Sequence, residues 1–328
     1  MIIAEKVFSR FEPGTPGRSL PDLCRALLLQ QQQAWPMCRE GIASLAAVET
    51  REVAAAGWSA LLQFNPRRIV STGAKVDAAS IGARPCFLCQ QNLPAEQKGI
   101  LYGNDIMILC NPAPIFHQHF TIPLVEHRPQ EIDPYIETML GMARDLAPAF
   151  TLFYNGPKCG ASAPDHFHFQ AAPANAISVE RDAGVVKRRK LLRQDGHVSL
   201  WTLDLYGRTV CVLESRDDGE LASSLRTFLR AWGDVLRTTE EPMMNLLASA
   251  HDDVFRIILF LRRKHRPDAY FREGEERLLI SPAAVDIGGV VVTPVEKDFR
   301  SVTGETIEGI FREVCEEPSI LRKIVERM

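Results

Sequence analysis

At 328 residues, 46% hydrophobic and 24% charged, the chain has room for one large domain or two of ordinary size and the composition of a soluble globular protein. A net charge of -3 removes the global basic field that marks nucleic-acid binding. No apolar run approaches the roughly 18 residues of a membrane span, and the opening Met1-Ile-Ile-Ala-Glu-Lys6 does not have the form of a signal peptide.

Eight cysteines are scattered at 24, 38, 86, 89, 110, 159, 211 and 315, and only Cys86 and Cys89 form a close pair. That pattern reads as reduced thiols with one metal or redox motif, not as a disulfide framework. A cytoplasmic protein with no nucleic-acid or membrane partner is the expectation.

In chain order, Ser19-Leu-Pro-Asp22 opens a helix with Ser19 as N-cap and Leu23, Ala26, Leu27 and Trp35 on about one side. A second helix is predicted over about 40–47. Arg51-Glu-Val53 and Trp58–Phe64 read as a hairpin around Ala56-Gly57. The arginines of Asn65-Pro-Arg67-Arg68 read more readily as solvated surface groups than as anion ligands. Strands follow at 100–102, 106–110 and 120–125, the last closing on His127. A helix over 131–146 carries Ile132, Tyr135, Ile136, Met139, Ala143 and Leu146 as a core stripe.

The basic run Lys187-Arg-Arg-Lys190, with Arg193, marks a linker or an exposed strand rim. Beyond it a hairpin (200–205 and 210–214), a helix (221–236), a strand (254–261) and a last helix (304–316) repeat the earlier order. Thr121-Ile-Pro-Leu-Val-Glu-His127 and Val291-Val-Thr-Pro-Val-Glu-Lys297 both lead into helices. They align the halves as two copies of one α+β unit, with Lys297 in the place of His127.

The most informative stretch is Asn155-Gly-Pro-Lys158-Cys-Gly160-Ala161-Ser162-Ala-Pro-Asp-His166-Phe-His168-Phe-Gln170. In an extended strand His166, His168 and Gln170 share one face while Phe167 and Phe169 point into a core. Loop amides and the Ser162 hydroxyl can hold phosphate oxygens, and an imidazole can attack phosphorus as a covalent catalyst. A half-buried strand whose histidines merely alternate would show the same spacing; the preceding loop and the cysteine pair argue against it.

A closed zinc site takes four Cys or His ligands. With Cys86 and Cys89, the sequence offers His117, His119, His127, His166 and His168; the expected set is Cys86, Cys89, His127 and His166, with His117 and His119 as alternatives for the third ligand. Metal on His166 would pin the strand and leave His168 free to react, making the ion structural. For His119 a satisfied core position is the plainer reading.

Together these residues resemble the histidine-triad superfamily. Within it they are similar to the branch of galactose-1-phosphate uridylyltransferase, diadenosine tetraphosphate phosphorylases and GDP-hexose phosphorylases. The match is Asn155, Gly160-Ala161-Ser162 and His166-x-His168-x-Gln170, and the uridylyltransferase zinc pattern falls on Cys86, Cys89, His127 and His166. Arg256 to Pro267, Ser281-Pro and Thr293-Pro-Val-Glu-Lys-Asp298 resemble the second half of the GDP-hexose phosphorylases, less specifically. Phe167 and Phe169 depart from the residues that uridylyltransferases carry there, so the branch is better supported than a uridylyl or galactose specificity.

The resemblance implies an α+β, histidine-triad-like fold of two tandem pseudo-repeated halves with antiparallel sheets. Residues 1–185 would be the catalytic half, with the metal site and the His-x-His-x-Gln motif, and 186–328 a degenerate supporting half. It implies a nucleotidyltransferase or phosphorylase acting on a nucleoside diphosphate sugar or dinucleoside polyphosphate, with a phosphate or sugar-phosphate acceptor. His168 would form the covalent nucleotidyl intermediate, Gln170 would bond a non-bridging oxygen, and Ser162 with the Gly160 and Ala161 amides would stabilise charge. Asn155 and Lys158 would contact phosphate. Zinc is the expected ion, iron being compatible with the same donors, and homodimers are common in the branch. Two readings compete: a histidine-triad nucleotide hydrolase, against which Gln170 argues because it has no proton to give, and a non-catalytic zinc-containing nucleotide-binding module.

Overall fold

A computed structural model describes residues 3–73 and 77–328. The strands are β1 (Val7–Phe11), β2 (Glu49–Ala55), β3 (Trp58–Phe64), β4 (Gly99–Tyr102), β5 (Ile106–Cys110), β6 (Phe120–Pro123), β7 (Phe150–Asn155) and β8 (His168–Pro173). They continue with β9 (Arg189–Asp195), β10 (Val198–Leu203), β11 (Val210–Ser215), β12 (Met244–His251), β13 (Val254–Leu261) and β14 (Val290–Thr293). Eleven form one sheet in the order β1-β4-β5-β6-β8-β7-β12-β13-β11-β10-β9, and β14-β3-β2 form a second.

The order contains the repeat. Three strands, β4 to β6, are followed by the helix Ile136–Leu146 and by β7 and β8; β9 to β11 are followed by the helix Asp218–Leu236 and by β12 and β13. Each set lies in its sheet as first, second, third, fifth, fourth, and the two fourth strands, β7 and β12, pair antiparallel at the centre. This is the α+β, histidine-triad-like architecture with two pseudo-repeated halves, fused edge to edge.

One detail of the expected repeat is corrected. The counterpart of β6 is β11, not 291–297: Val290–Thr293 is β14 and lies parallel to β3 in the small sheet. Lys297 follows in the helix Glu296–Ser301, where its Nζ donates to the carbonyls of Glu275 and Arg277 at 2.7 and 3.0 Å. The two short sequences resemble each other because each ends a buried strand, not because they are copies.

Local chemistry explains most element boundaries. Ser19 Oγ accepts the Asp22 N–H at 3.2 Å and caps Leu20–Ala34; Asp217 Oδ1 does the same for the Glu220 N–H at 2.8 Å. The second helix runs Pro36–Ala43 with a 3-10 turn to Ala47, starting earlier than expected because Pro36 suits a first helical position. Pro134 confines the start of the next helix to a 3-10 turn before Ile136.

The large sheet is covered on both faces, which is why β4, β5 and β7 are wholly buried. One face packs the helices Leu20–Ala34, Ile136–Leu146, Asp218–Leu236 and Pro318–Val325. The other packs the small sheet and the helix Gly304–Val314, and there Val210, Val212, Ile258 and Phe260 of the second half are sealed in a core. At the corresponding face of the first half, Leu109, Thr121, Phe153, His168 and Gln170 border a cavity instead. No helix among the described residues is long and apolar enough to cross a membrane.

The helix Gly304–Val314 begins directly against β2: a Cβ at Gly304 would stand 1.8 Å from the Ala54 carbonyl oxygen. Gly304→Ala is therefore expected to lower unfolding free energy in urea by about 2–3 kcal/mol through overpacking. An unchanged midpoint would show that this contact is not made.

Candidate active site and metal centre

The ligand atoms of Cys86, Cys89, His127 and His166 lie within 4.8 Å of one another. Cys86 Sγ is 3.2 Å from His166 Nδ1, and Cys89 Sγ is 3.2 Å from His127 Nδ1 and 3.5 Å from His166 Nδ1. A tetrahedral ion with bonds of about 2.0–2.3 Å sets neighbouring ligands about 3.3–3.8 Å apart, so these donors fit one. The Leu124 carbonyl accepts from His166 Nε2 at 2.9 Å, which fixes the proton there and turns the Nδ1 lone pair to the cluster. Burial keeps His166 neutral by lowering its pKa. Asp165 Oδ2 stands 3.6 Å from His127 Nε2, the usual place for a supporting carboxylate. Burial, then the neighbouring Cys86, pushes the Cys89 thiol up to about 11; a bound cation reverses that preference by taking the thiolate.

The strand that follows begins at His168, so the shared face expected of His166, His168 and Gln170 is made by His168 and Gln170 alone. Phe167 and Phe169 enter the helix-side core, while His168 and Gln170 face the cavity. His166 precedes the strand and reaches the metal cluster. The His166 carbonyl accepts from His168 Nδ1 at 2.9 Å, so the proton sits on Nδ1 and the Nε2 lone pair is left open. Burial lowers the His168 pKa to about 4, and the imidazole is neutral near pH 7.

Gln170 is oriented by His119. The Ile115 N–H donates to His119 Nδ1 at 3.1 Å, which leaves the ring proton on Nε2 to be donated to Gln170 Oε1 at 2.9 Å. Burial, with Arg68 nearby, holds His119 at about 3, so it stays neutral in this role. The Gln170 carboxamide can therefore offer the cavity only its NH2 end, a donor without charge.

The cavity, of about 720 Å³, is lined by both halves. Asn155, Gly160, Ala161 and Ser162 border it with His168 and Gln170. Gly160 has φ of +111°, and a Cβ there would meet Ala283 Cβ at 2.6 Å, so the loop can touch the second half only with glycine. Asn155 Oδ1 accepts from Asn245 Nδ2 and the Ala284 N–H, both at 2.8 Å. Lys158 lies elsewhere, paired with Glu240 at the surface. His265, Arg266, Ser281 and Asp286 form the second half's wall, and Arg68 and Arg84 add cationic groups. Arg84 Nη2 donates to the Ser162 carbonyl at 2.9 Å and lies over the Phe87 ring at 4.7 Å. Three arginines and one carboxylate favour an anionic occupant.

Three solved structures have this architecture along nearly their whole length. Yeast Ap4A phosphorylase Apa2 in complex with AMP matches with a TM-score of 0.57 and 13% identity, covering 88% of this chain and 96% of that one. The same yeast protein with Ap4A gives 0.56 and 14%, covering 84% and 96%, and without a named ligand 0.54 and 13%, covering 90% and 98%. The fold is that of yeast Ap4A phosphorylase. The family model of a domain of unknown function, DUF4922, matches residues 27–173, the part that contains the cysteine pair, the glycine loop and both histidines. No curated protein matches the sequence.

Several residues that build this site were not singled out by sequence reasoning. Arg68, read as a surface group, is in the cavity wall and donates to the Ala113 carbonyl at 2.7 Å, whereas Arg67 faces Glu40 outside. Gln130, Asn245 and Asp286 carry no local motif. Arg262 had one available signal: it ends the apolar run of β13 and is wholly buried.

Two outcomes are expected. Cys86→Ser and His166→Ala should lower metal per chain and thermal stability together, because binding is coupled to folding; full metal content in either would overturn the ligand set. Asp286 gives a pH signature. Burial raises its carboxyl to about 6 against 3.8, although the Val292 and Ala283 N–H groups donate to it and Arg68 lies near. A carboxyl with a raised folded pKa stabilises most when protonated, so its contribution is full below about pH 4 and is lost as pH rises through about 6. In urea unfolding from about pH 4 to 7, wild type should lose stability relative to Asp286→Asn, with parallel curves above that window.

Proposed function

We propose that the protein is a nucleotidyltransferase or phosphorylase that works through a nucleotidyl-histidine on His168. The observation that carries this reading is the neutral, buried imidazole with a lone pair on Nε2, facing a cationic cavity beside a phosphate-sized loop. Nε2 attacks the α-phosphorus, the N–P bond forms, and the P–O bond to the leaving phosphate group breaks with its electron pair. The oxygen of a second phosphate or sugar phosphate then attacks the same phosphorus and the N–P bond breaks. The proton stays on Nδ1, donated to the His166 carbonyl throughout, so the imidazole needs no base.

Ser162 and the Gly160–Ser162 amides hold non-bridging oxygens, and the Gln170 NH2 end adds a neutral donor. A donor that cannot release a proton suits leaving groups that are already stable anions. Asn155, tied down through its Oδ1, presents its Nδ2 to the same space. Lys158, at the surface beside Glu240, has no part in this scheme.

The proposed ion is zinc, held by Cys86, Cys89, His127 and His166, with iron compatible with the same donors. It supplies structural restraint: these residues fix the start of the reactive strand. In the domain reading, 1–185 supplies the nucleophile and the metal ligands, and 186–328 supplies the opposite wall. Eight free cysteines are in keeping with a reducing, cytoplasmic setting.

The yeast structures of this fold hold AMP and Ap4A, which makes a dinucleoside polyphosphate the first substrate to test, followed by nucleoside diphosphate sugars. Incubation with each, without added phosphate, should raise the intact mass by one nucleoside monophosphate. His168→Ala should show no such gain while keeping its metal and fold. Retained turnover in that variant would remove His168 from the mechanism.

A further inference from the structure

β7 and β8 pair in register from Phe150 opposite Pro173 to Phe153 opposite Gln170. Continued, the ladder would set Asn155 opposite His168, the two site residues at the mouth of the hairpin. A side chain takes that place. Gln130, 1% exposed, accepts the His168 N–H on Oε1 at 2.8 Å and donates from Nε2 to the carbonyls of Asn155 and His168, both at 3.0 Å. A carboxamide has the acceptor of a peptide group and two donors, so it can bridge two strands that have opened too far to reach each other.

The segment carrying Gln130 is itself fixed. The Phe167 N–H donates to the Arg128 carbonyl at 2.6 Å, the Gln130 N–H to the Pro164 carbonyl at 3.3 Å, and the Ile132 N–H to Glu241 Oε2 at 2.6 Å. It begins at His127, a ligand in the candidate metal centre, just as His168 follows the ligand His166. Both roots of the substitute rung therefore start from the same cluster.

We infer that Gln130 is the positioning residue for His168: its carboxamide replaces one rung of the sheet and sets the backbone from which the imidazole is aimed. The inference rests on the nucleotidyl-histidine reading. Gln130 does not itself line the cavity and acts through His168 and Asn155, which do. The strands must part here for a nucleotide phosphate to come between the loop and the nucleophile, yet the nucleophile must not move.

Two variants test it. Gln130→Leu removes all three bonds; Gln130→Glu keeps the shape and the acceptor but sets a second oxygen against two carbonyls. The readout is single-turnover labelling by intact mass, using diadenosine tetraphosphate and a panel of nucleoside diphosphate sugars, together with metal content. Both variants should hold metal like wild type and label to full amplitude, with a rate constant lower on the order of a hundredfold, as a misplaced reacting group allows. A wild-type rate constant in Gln130→Glu, whether at full or reduced amplitude, would overturn the inference, because a merely structural side chain changes how much protein is active and not how fast it reacts. If Gln130→Leu does not fold, Gln130→Glu decides alone. If no panel member labels wild type, the nucleotidyl-histidine reading falls, and this inference with it.

Discussion

Asn245 stands directly opposite Asn155 where β12 pairs with β7, and the two halves meet chemically at that point. Asn245 Nδ2 also donates to the Cys159 carbonyl at 2.7 Å, while its Oδ1 accepts from the Arg262 guanidinium. Arg262 gives its other N–H groups to the carbonyls of Val314, Pro282, Lys264 and His265, at 2.9 to 3.2 Å. A buried cation without a carboxylate is tolerable only when its donors are all satisfied. Losing any one acceptor leaves a stranded charge, so the loops that form the far wall are bound to one geometry. That geometry passes through Asn245 to Asn155 and the glycine loop beyond it.

Around this hub the site combines neutral and cationic groups. His168, Gln170 and His119 are neutral, the two histidines because burial lowers their pKa to about 4 and about 3. Positive charge in the same cavity wall comes from Arg68, Arg84 and Arg266. Such an arrangement suits an anion while leaving the His168 imidazole unprotonated, since a nearby carboxylate would favour the imidazolium and a nearby cation disfavours it. The candidate metal ligands Cys86, Cys89, His127 and His166 are not among the residues that line the cavity.

Much of this was readable in the chain, and what was readable was local. His168 and Gln170 are separated by the period of a strand and the cysteine pair by the bite of a metal knuckle, whereas His166, at the same spacing, lies before the strand. Residues that act by meeting a distant partner left no such trace. Gln130 is recognisable only once β7 and β8 are seen to part, and Asn245 only once the central pairing is known. The likeness of 121–127 to 291–297 misled because a strand running into a helix is commonplace, while the true partner of β6, β11, shares its topology and not its residues. Lys158, which its loop position fitted equally to a phosphate and to solvent, pairs with Glu240 at the surface.

The unbroken sheet also settles what kind of object the first half is. A piece ending near residue 185 would keep every motif that a search for active-site residues would select. It would also expose β7 as a bare edge, lose the β14 strand that lies against β3, and leave Asn155 and Gly160 with nothing to lean on. A central strand that is wholly buried in the intact sheet becomes, once exposed, a template for intermolecular pairing. The half that holds His168 and the cysteine pair is thus not a module that could be excised or shuffled between genes. It is one side of a structure whose twin, which closes the cavity, must be inherited with it.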